Sequence, residues 1–312
     1  MTFDTLTQYA RAQVPFLFYT DFEGKRVHVY PLDTLKQHGI SYSIDETPTS
    51  TEKTIRLIKH PVAFEKYKEK FDYVVEKIRS GETYLLNLTQ PTPVESPLTL
   101  RQIFEKADAK FKLCVDGRFV CFSPERFVKI EKNRISTYPM KGTIDASIPD
   151  AEAKILSNEK EMAEHVMVVD LLRNDLGIVA DNIRVERFRY IDKIRAGDKE
   201  LLQVSSQISG NVGPSWRERL GSIIEQLLPA GSISGTPKKS TVEIIKTIEG
   251  YERGYFTGVF GVYDGERFDS AVMIRFIEQN GDKLVYKSGG GITLDSEAQS
   301  EYQEMLDKVY IG

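Results

Sequence analysis

From Phe64 the apolar positions Phe64, Tyr67, Phe71, Val74, Val75 and Ile78 recur at helical spacing, and Gly81 stands just beyond them, so the pattern predicts a helix of about four turns. A strand follows over Thr83 to Thr89, then alternating β segments at Lys112 to Val115, Arg118 to Ser123, Arg126 to Glu131 and Arg134 to Tyr138. Ahead of the helix, a strand pair across Phe16 to Tyr30 is broken at Glu23-Gly24, and a polar run rich in Ser and Thr extends from Ser41 to Thr54. Ser157-Asn158 reads as the cap of a helix from Glu159 to about Asn174 whose polar face carries Glu161 and Glu164. Further on, the pattern predicts a strand at Leu201 to Val212 and helices at Ser215 to Leu228 and from Pro237 to about Glu249. A three-strand meander with turns at Asp264-Gly265 and Asn280-Gly281 comes next, and a last helix runs from about Ser296 to Tyr310. Helices and strands come in blocks and hairpin signals recur. The expected class is therefore α/β in its α+β form, with antiparallel sheets packed against helices rather than a doubly wound parallel sheet.

Composition narrows the picture without changing it. The chain has 312 residues, 40% of them apolar, and 42 basic against 46 acidic side chains, which excludes disordered and fibrous classes and allows a large core. A net charge of -4 lacks the electrostatic footprint of a nucleic-acid-binding protein. Val14 to Tyr19 is too short for a signal peptide or a membrane span, so the expectation is no membrane association and a cytoplasmic location. Cys114 and Cys121, the only cysteines, flank an Asp116-Gly117 turn at a separation that fits no zinc or redox motif, and read as buried thiols. His28, His38, His60 and His165 are scattered along the chain.

Two Glu-x-x-Glu pairs, Glu161 with Glu164 and Glu301 with Glu304, put both carboxylates of each pair on one helix face. Two such helices meeting would gather four negative charges, for which a hard divalent ion such as Mg²⁺ is the natural counter-charge; solvated helix faces are the alternative. The turns Gly231 to Lys238 (GSISGTPK) and Gly289-Gly290-Gly291 offer backbone N–H groups to an anion, or are simply tight. Arg275 stands in an otherwise apolar strand, Ala271 to Ile277, where a guanidinium needs either a ligand carboxylate or an internal Asp or Glu. Lys141 lies just past a strand end, and a reactive role there would require a neutral amine.

Together these segments resemble the chorismate-utilising enzymes, the family of anthranilate synthase component I, aminodeoxychorismate synthase component I, isochorismate synthase and salicylate synthase. The resemblance is carried, in family order from about Phe64 to the C-terminus, by Gly81 to Thr89 (GETYLLNLT), Ser123 to Arg126 (SPER), Pro139 to Thr143 (PMKGT), Asn158 to Gly177 (NEKEMAEHVMVVDLLRNDLG), Pro229 to Lys238 (PAGSISGTPK), Arg253 to Tyr255, Ile274-Arg275 and Gly289 to Glu304 (GGGITLDSEAQSEYQE). It implies that Glu164 and Glu304 ligate Mg²⁺ while Glu161 and Glu301 hold metal-bound waters, the ion gripping the ring carboxylate of chorismate. It also implies that Arg275, Tyr255, Gly289, Gly290, Gly291 and Lys308 meet the enolpyruvyl carboxylate, that Thr143 belongs to the substrate site, and that Glu125 is the general acid for the departing C4 hydroxyl.

Lys141 selects within the family. Anthranilate synthases resemble this segment but carry alanine there, whereas aminodeoxychorismate synthases carry a lysine proposed as nucleophile, kept neutral by nearby cations. Isochorismate and salicylate synthases use a lysine where this chain has Leu85, and Gln203 replaces a histidine found in many relatives. The resemblance thus implies an aminodeoxychorismate synthase component I serving p-aminobenzoate and folate synthesis, using chorismate and ammonia, with the ammonia supplied by a separate glutamine amidotransferase. Anthranilate synthase component I and a non-catalytic chorismate-binding regulatory subunit are the alternatives; Glu125, Lys141 and the four carboxylates together argue against the latter. The expected organisation is one chorismate-utilising domain over residues 1–312, with a shortened N-terminal segment at about 1–63 that lacks the tryptophan feedback site of longer relatives, and the motif-bearing part at 64–312.

Overall fold

In the computed structural model the described residues are 1–46, 57–196 and 199–311. Chain order begins α1 (Phe3–Arg11), β1 (Phe16–Thr20), β2 (Val27–Pro31), β3 (Ile40–Ile44), β4 (Ile58–Lys59), α2 (Phe64–Arg79), β5 (Leu85–Glu95), α3 (Leu100–Lys106), β6 (Phe111–Val115) and β7 (Phe119–Ser123). It continues with β8 (Arg126–Glu131), β9 (Arg134–Thr137), β10 (Met140–Asp145), α4 (Ala151–Ser157), α5 (Glu159–Val179), β11 (Asp181–Ala196), β12 (Lys199–Asn211) and α6 (Leu220–Leu227). The last elements are β13 (Gly235–Thr236), α7 (Lys238–Ile248), β14 (Val259–Tyr263), β15 (Phe268–Val272), β16 (Phe276–Asn280), β17 (Lys283–Ile292) and α8 (Ala298–Asp307). The predicted helix from Phe64 and the Asn158 cap hold, the latter through an Asn158 Oδ1 that accepts from the Glu161 amide at 3.0 Å. The Ser/Thr-rich run is β3 as far as Ile44, and its part from 47 to 54 lies outside the described residues.

Among the described residues the strands form two antiparallel sheets. The first runs β2-β1-β14-β15-β8-β9-β12, with β10 on the same edge of β12 as β9 and β11 on the other; the second runs β3-β6-β7-β16-β17-β5-β13, with β4 beside β5. The expected class, antiparallel sheets packed with helices, is what the chain adopts. The expected meander is not: the region holds four strands, of which the β14–β15 hairpin belongs to the first sheet and the β16–β17 hairpin to the second. Turn residues report the local hairpins, but the sheet each hairpin joins is decided by what its side chains pack against.

Two of the places where the chain passes between the sheets are adjacent. From β7 to β8 it crosses at Pro124-Glu125, and from β15 to β16 it crosses back at Met273 to Arg275. There the amide of Phe122 donates to the Arg275 carbonyl (3.1 Å) and that of Val272 to the Glu125 carbonyl (3.1 Å), so the crossings brace each other where ladder pairing stops. Arg275 is therefore not in a strand but in the break between two, with φ of 50°.

Leu17, Tyr19, Phe119, Phe260 and Phe276 pack between the sheets, while Phe16, Phe18 and Trp216 join a larger core under the helices. The N-terminal segment is built into both sheets, as β1 and β2 at one edge and β3 at another, and α1 lies so close to α6 that a Cβ on Gly221 would stand 2.0 Å from the Phe3 carbonyl oxygen. Cys114 and Cys121 are free and buried on opposite faces of the β6–β7 hairpin, and burial pushes the Cys114 thiol up to about 12. Among the described residues no helix is long and apolar enough to cross a membrane.

Phe119 is fully buried, its ring stacked 5.2 Å from Tyr255 and 5.1 Å from Phe276. Phe119→Ala is expected to cost about 3–5 kcal/mol, read as a lower urea midpoint at unchanged slope.

Candidate active site

The two crossings open onto a cavity of about 540 Å³, within the size range of small-molecule sites. Glu125 enters it from one crossing and Arg275 from the other. Burial raises the Glu125 pKa above the usual carboxylate range, against the opposing pull of a hydrogen bond donated by Ser232 Oγ and the charges of Arg275 and Lys308. Among the described residues the Arg275 guanidinium has no hydrogen-bonded partner and lies 5.5 Å from the centre of the Tyr310 ring. The internal carboxylate that sequence reasoning allowed for Arg275 is absent among those residues, which leaves a cation facing the cavity.

Lys141 lines the same cavity. β9 and β10 are two halves of one strand along β12, interrupted at Tyr138-Pro139, and the register slips between Met140 and Thr143. Lys141 sits in that bulge, and its Nζ lies 2.6 Å from Glu164 Oε2 on α5. Burial draws the Lys141 pKa down, but the Glu164 charge and hydrogen bond, with Glu304 and Glu161 beyond, outweigh it and raise the pKa. In this arrangement the nearest charges to Lys141 are carboxylates, which favour its ammonium form.

The four carboxylates arrive on two helices, Glu161 and Glu164 on α5, Glu301 and Glu304 on α8. Among the described residues one buried Glu161 oxygen has no hydrogen-bond partner, and burial raises the Glu161 and Glu301 pKa values. Glu301 accepts from Ser296 Oγ at 2.9 Å. Glu304 lies 2.6 Å from Lys308 Nζ, which also donates to the Gly289 carbonyl at 2.9 Å. Burial pushes the Glu304 carboxyl up, but Lys308 and the other cations hold it below its ordinary value, while burial lowers Lys308.

Hard oxygen donors, an orphaned buried carboxylate oxygen and a surplus of negative charge suit a hard divalent cation. Among the described residues, no three acidic, His or Cys side chains stand close enough together to hold one ion as they are. Ammonium groups meet Glu164 and Glu304 instead, so an ion would have to displace them.

Other expectations are revised. Gly289, Gly290 and Gly291 are inside β17, paired with Thr89, Leu88 and Asn87, rather than in a turn. A Cβ on Gly290 would stand 3.3 Å from Glu301 and 3.9 Å from Glu304, so its bare backbone admits both carboxylates, whereas Gly289 and Gly291 are pressed against β5. Gly235, at φ of 136°, would place a Cβ 1.9 Å from the Leu85 carbonyl, which makes the Gly231 to Lys238 turn a close-packing device. Tyr255 is in the inter-sheet core with its hydroxyl on His28 (2.8 Å) and Arg118 (3.0 Å); its neighbour Phe256 lines the cavity. Thr143 lines the cavity and donates its hydroxyl to Gln203 Oε1 at 2.8 Å.

Sequence reasoning missed Ser232, the partner of Glu125, and Lys287, buried on β17 and 2.8 Å from Glu278. Lys287 carries the same signal as Arg275, a charge inside an apolar strand. Arg253 is a structural hub: fully buried, it pairs with Glu249 through bonds of 2.6 and 2.9 Å and donates to the carbonyls of Asn87 (2.6 Å) and Ile233 (2.9 Å), tying β5 to the Gly231 turn behind Glu125.

Because the Ser232 hydrogen bond pulls the Glu125 pKa down, Ser232→Ala is expected to raise it further. A carbon-13 NMR titration of carboxyl-labelled glutamate, with Glu125→Gln to assign the resonance, checks the direction.

Comparison with known proteins places this geometry. The family described as chorismate binding enzyme matches residues 9–311. A Haemophilus influenzae protein named "Uncharacterized PabA-like protein" is 47% identical over 307 residues, covering 97% of this chain and 94% of that protein. Aminodeoxychorismate synthase component 1 of Escherichia coli (strain K12) is 30% identical over 261 residues, 78% of this chain but 56% of the relative, so the chain spans little more than half that protein's length. In fold, the menaquinone-specific isochorismate synthase of Escherichia coli is similar with a TM-score of 0.67 at 16% identity, over 99% of this chain and 90% of that one. The chain belongs to the family of chorismate binding enzymes.

Proposed function

We propose that this chain is an aminodeoxychorismate synthase component I, converting chorismate and ammonia to 4-amino-4-deoxychorismate and water. The observation that carries the reading is Lys141, a bulge lysine lining the same cavity as a Glu125 with raised pKa, at the position where anthranilate synthases have alanine. Arg275, without an internal partner, and Lys308 bind the enolpyruvyl carboxylate. Glu164 and Glu304, with Glu161 and Glu301 beside them, would hold Mg²⁺, and the ion would supply the counter-charge for the ring carboxylate. A cation answering Glu164, Glu304 and Glu161 would weaken the three charges that raise the Lys141 pKa, against which burial acts to lower it.

Lys141 Nζ then bonds to C2 of the ring, the double bonds shift toward C4, and the C4–O bond breaks as Glu125 gives the hydroxyl its proton, releasing water. Ammonia bonds at C4 and yields its surplus proton to the Glu125 carboxylate, the double bonds shift back, and the C2–Nζ bond breaks to return Lys141 as a neutral amine. One difficult substitution becomes two easier ones. A glutamine amidotransferase subunit is the proposed ammonia source, and the product leads toward p-aminobenzoate and folate.

Purified protein incubated with chorismate, Mg²⁺ and an ammonium salt is expected to give 4-amino-4-deoxychorismate on chromatography; anthranilate, isochorismate or no turnover overturns the reading. In the same experiment Lys141→Ala should show no chorismate-derived mass adduct. Glu304→Gln should shift the Mg²⁺ concentration giving half-maximal activity upward by more than about tenfold, and an unchanged titration counts against the ion's place.

A further inference from the structure

We infer that Gln203 is a positioning residue that clamps the bulge carrying Lys141, a role that rests on the reading of Lys141 as the nucleophile. Met140 pairs with Ser205 and Thr143 with Gln203, so Lys141 and Gly142 together face Val204 alone. Such an extra residue breaks the ladder and re-aims a side chain, at the cost of backbone groups left unpaired. Gln203 takes up that slack. Its Nε2 donates to the Gly142 carbonyl at 2.8 Å, and its Oε1 accepts from Thr143 Oγ1 at 2.8 Å. The orientation of the amide follows from the Gly142 carbonyl, which can only accept.

The other side of the bulge is closed by the helices. Gly142 has φ of 90°, and a Cβ there would stand 3.2 Å from Glu161 Oε2 and 3.6 Å from Ile155. Lys141 is thus based on a turn of backbone held by the Gln203 amide in front and by α4 and α5 behind. An imidazole carries its donor and acceptor at separate ring nitrogens, whereas an amide presents both side by side, as the Gly142 carbonyl and the Thr143 hydroxyl require. The glutamine fits a chain whose nucleophile is delivered by this bulge.

The test uses Gln203→Glu, which keeps the size and the acceptor but turns the donor facing the Gly142 carbonyl into a second acceptor. Pulse acetylation with acetic anhydride, mapped by mass spectrometry without chorismate, should show Lys141 labelling faster by about tenfold relative to Lys308 in the same cavity, as two hydrogen bonds are lost or strained. With chorismate, formation of the Lys141 adduct should slow by about 10- to 100-fold while KM stays within about twofold. Unchanged Lys141 labelling relative to Lys308 overturns the clamp. Absence of an adduct in the unaltered protein would instead remove Lys141 as nucleophile, with the acetylation ratio still deciding whether Gln203 holds the bulge. Should Gln203→Glu fail to fold, Thr143→Val removes one arm of the clamp on an exposed residue and should raise the same ratio by about threefold; no rise overturns the clamp.

Discussion

Everything in the site depends on two strand connections changing sheets at the same place. A crossing takes the backbone out of both ladders, and a buried amide or carbonyl left there would be costly. The two crossings solve this for each other, Phe122 to Arg275 and Val272 to Glu125, each bond at 3.1 Å. A single crossing would have had no such partner. The residues at the crossings are freed from strand alternation, which is how an acid and a guanidinium can leave a region otherwise built of Phe, Val and Met. Arg275 holds a left-handed backbone at φ of 50°, a conformation costing about 1–3 kcal/mol in a non-glycine residue. The surrounding sheets determine it, and the inter-sheet aromatic core determines the sheets.

Charge around the cavity is paired internally only in part, and what is left over is informative. Lys141 answers Glu164 and Lys308 answers Glu304. Among the described residues, what is left over includes Arg275, a cation without an ion-pair partner, and a buried Glu161 carboxylate oxygen without a donor. A dianionic substrate together with a divalent cation would complete both deficits at once, and neither alone would. Arg253 and Glu249 are the contrast: a buried pair with every group satisfied, breaking which would leave an uncompensated charge in the core. That pair holds structure and has nothing left to bind.

Local signals were legible in the chain and non-local ones were not. The helix from Phe64, the Asn158 cap and the hairpin turns depend on spacing within a few residues, and they stand where spacing puts them. The switch of β16 and β17 to the second sheet depends on side chains more than 100 residues away, such as Cys121 opposite Phe276, and no local pattern encodes it. Arg275 was visible as a charge among apolar residues, but the same signal was read as a strand because the break at Met273 to Arg275 has no Gly or Pro to mark it. Tyr255 and Phe256 differ by one position, and outside a regular strand period two does not tell which of them faces the cavity. Glu161, Glu164, Glu301 and Glu304 were found because i, i+3 spacing on a helix is a geometric statement by itself.

Protonation of Lys141 is the one point where the electrostatics as they stand oppose the proposed chemistry, and the opposition has a use. A nucleophilic amine left neutral in an open cavity would be exposed to any passing electrophile. Held against Glu164 as an ammonium it would be unreactive, and on the proposed reading a divalent ion at that carboxylate would arm the amine and complete the substrate site together. The bulge makes this exchange economical. On that reading Lys141 would not need to travel, because Gln203 and α5 adjoin its backbone, and it is the charges of Glu164, Glu304 and Glu161 that would have to be answered. Reactivity is then controlled by electrostatics on a rigid base rather than by a moving loop, which is what a cavity walled by two sheets and two helices permits.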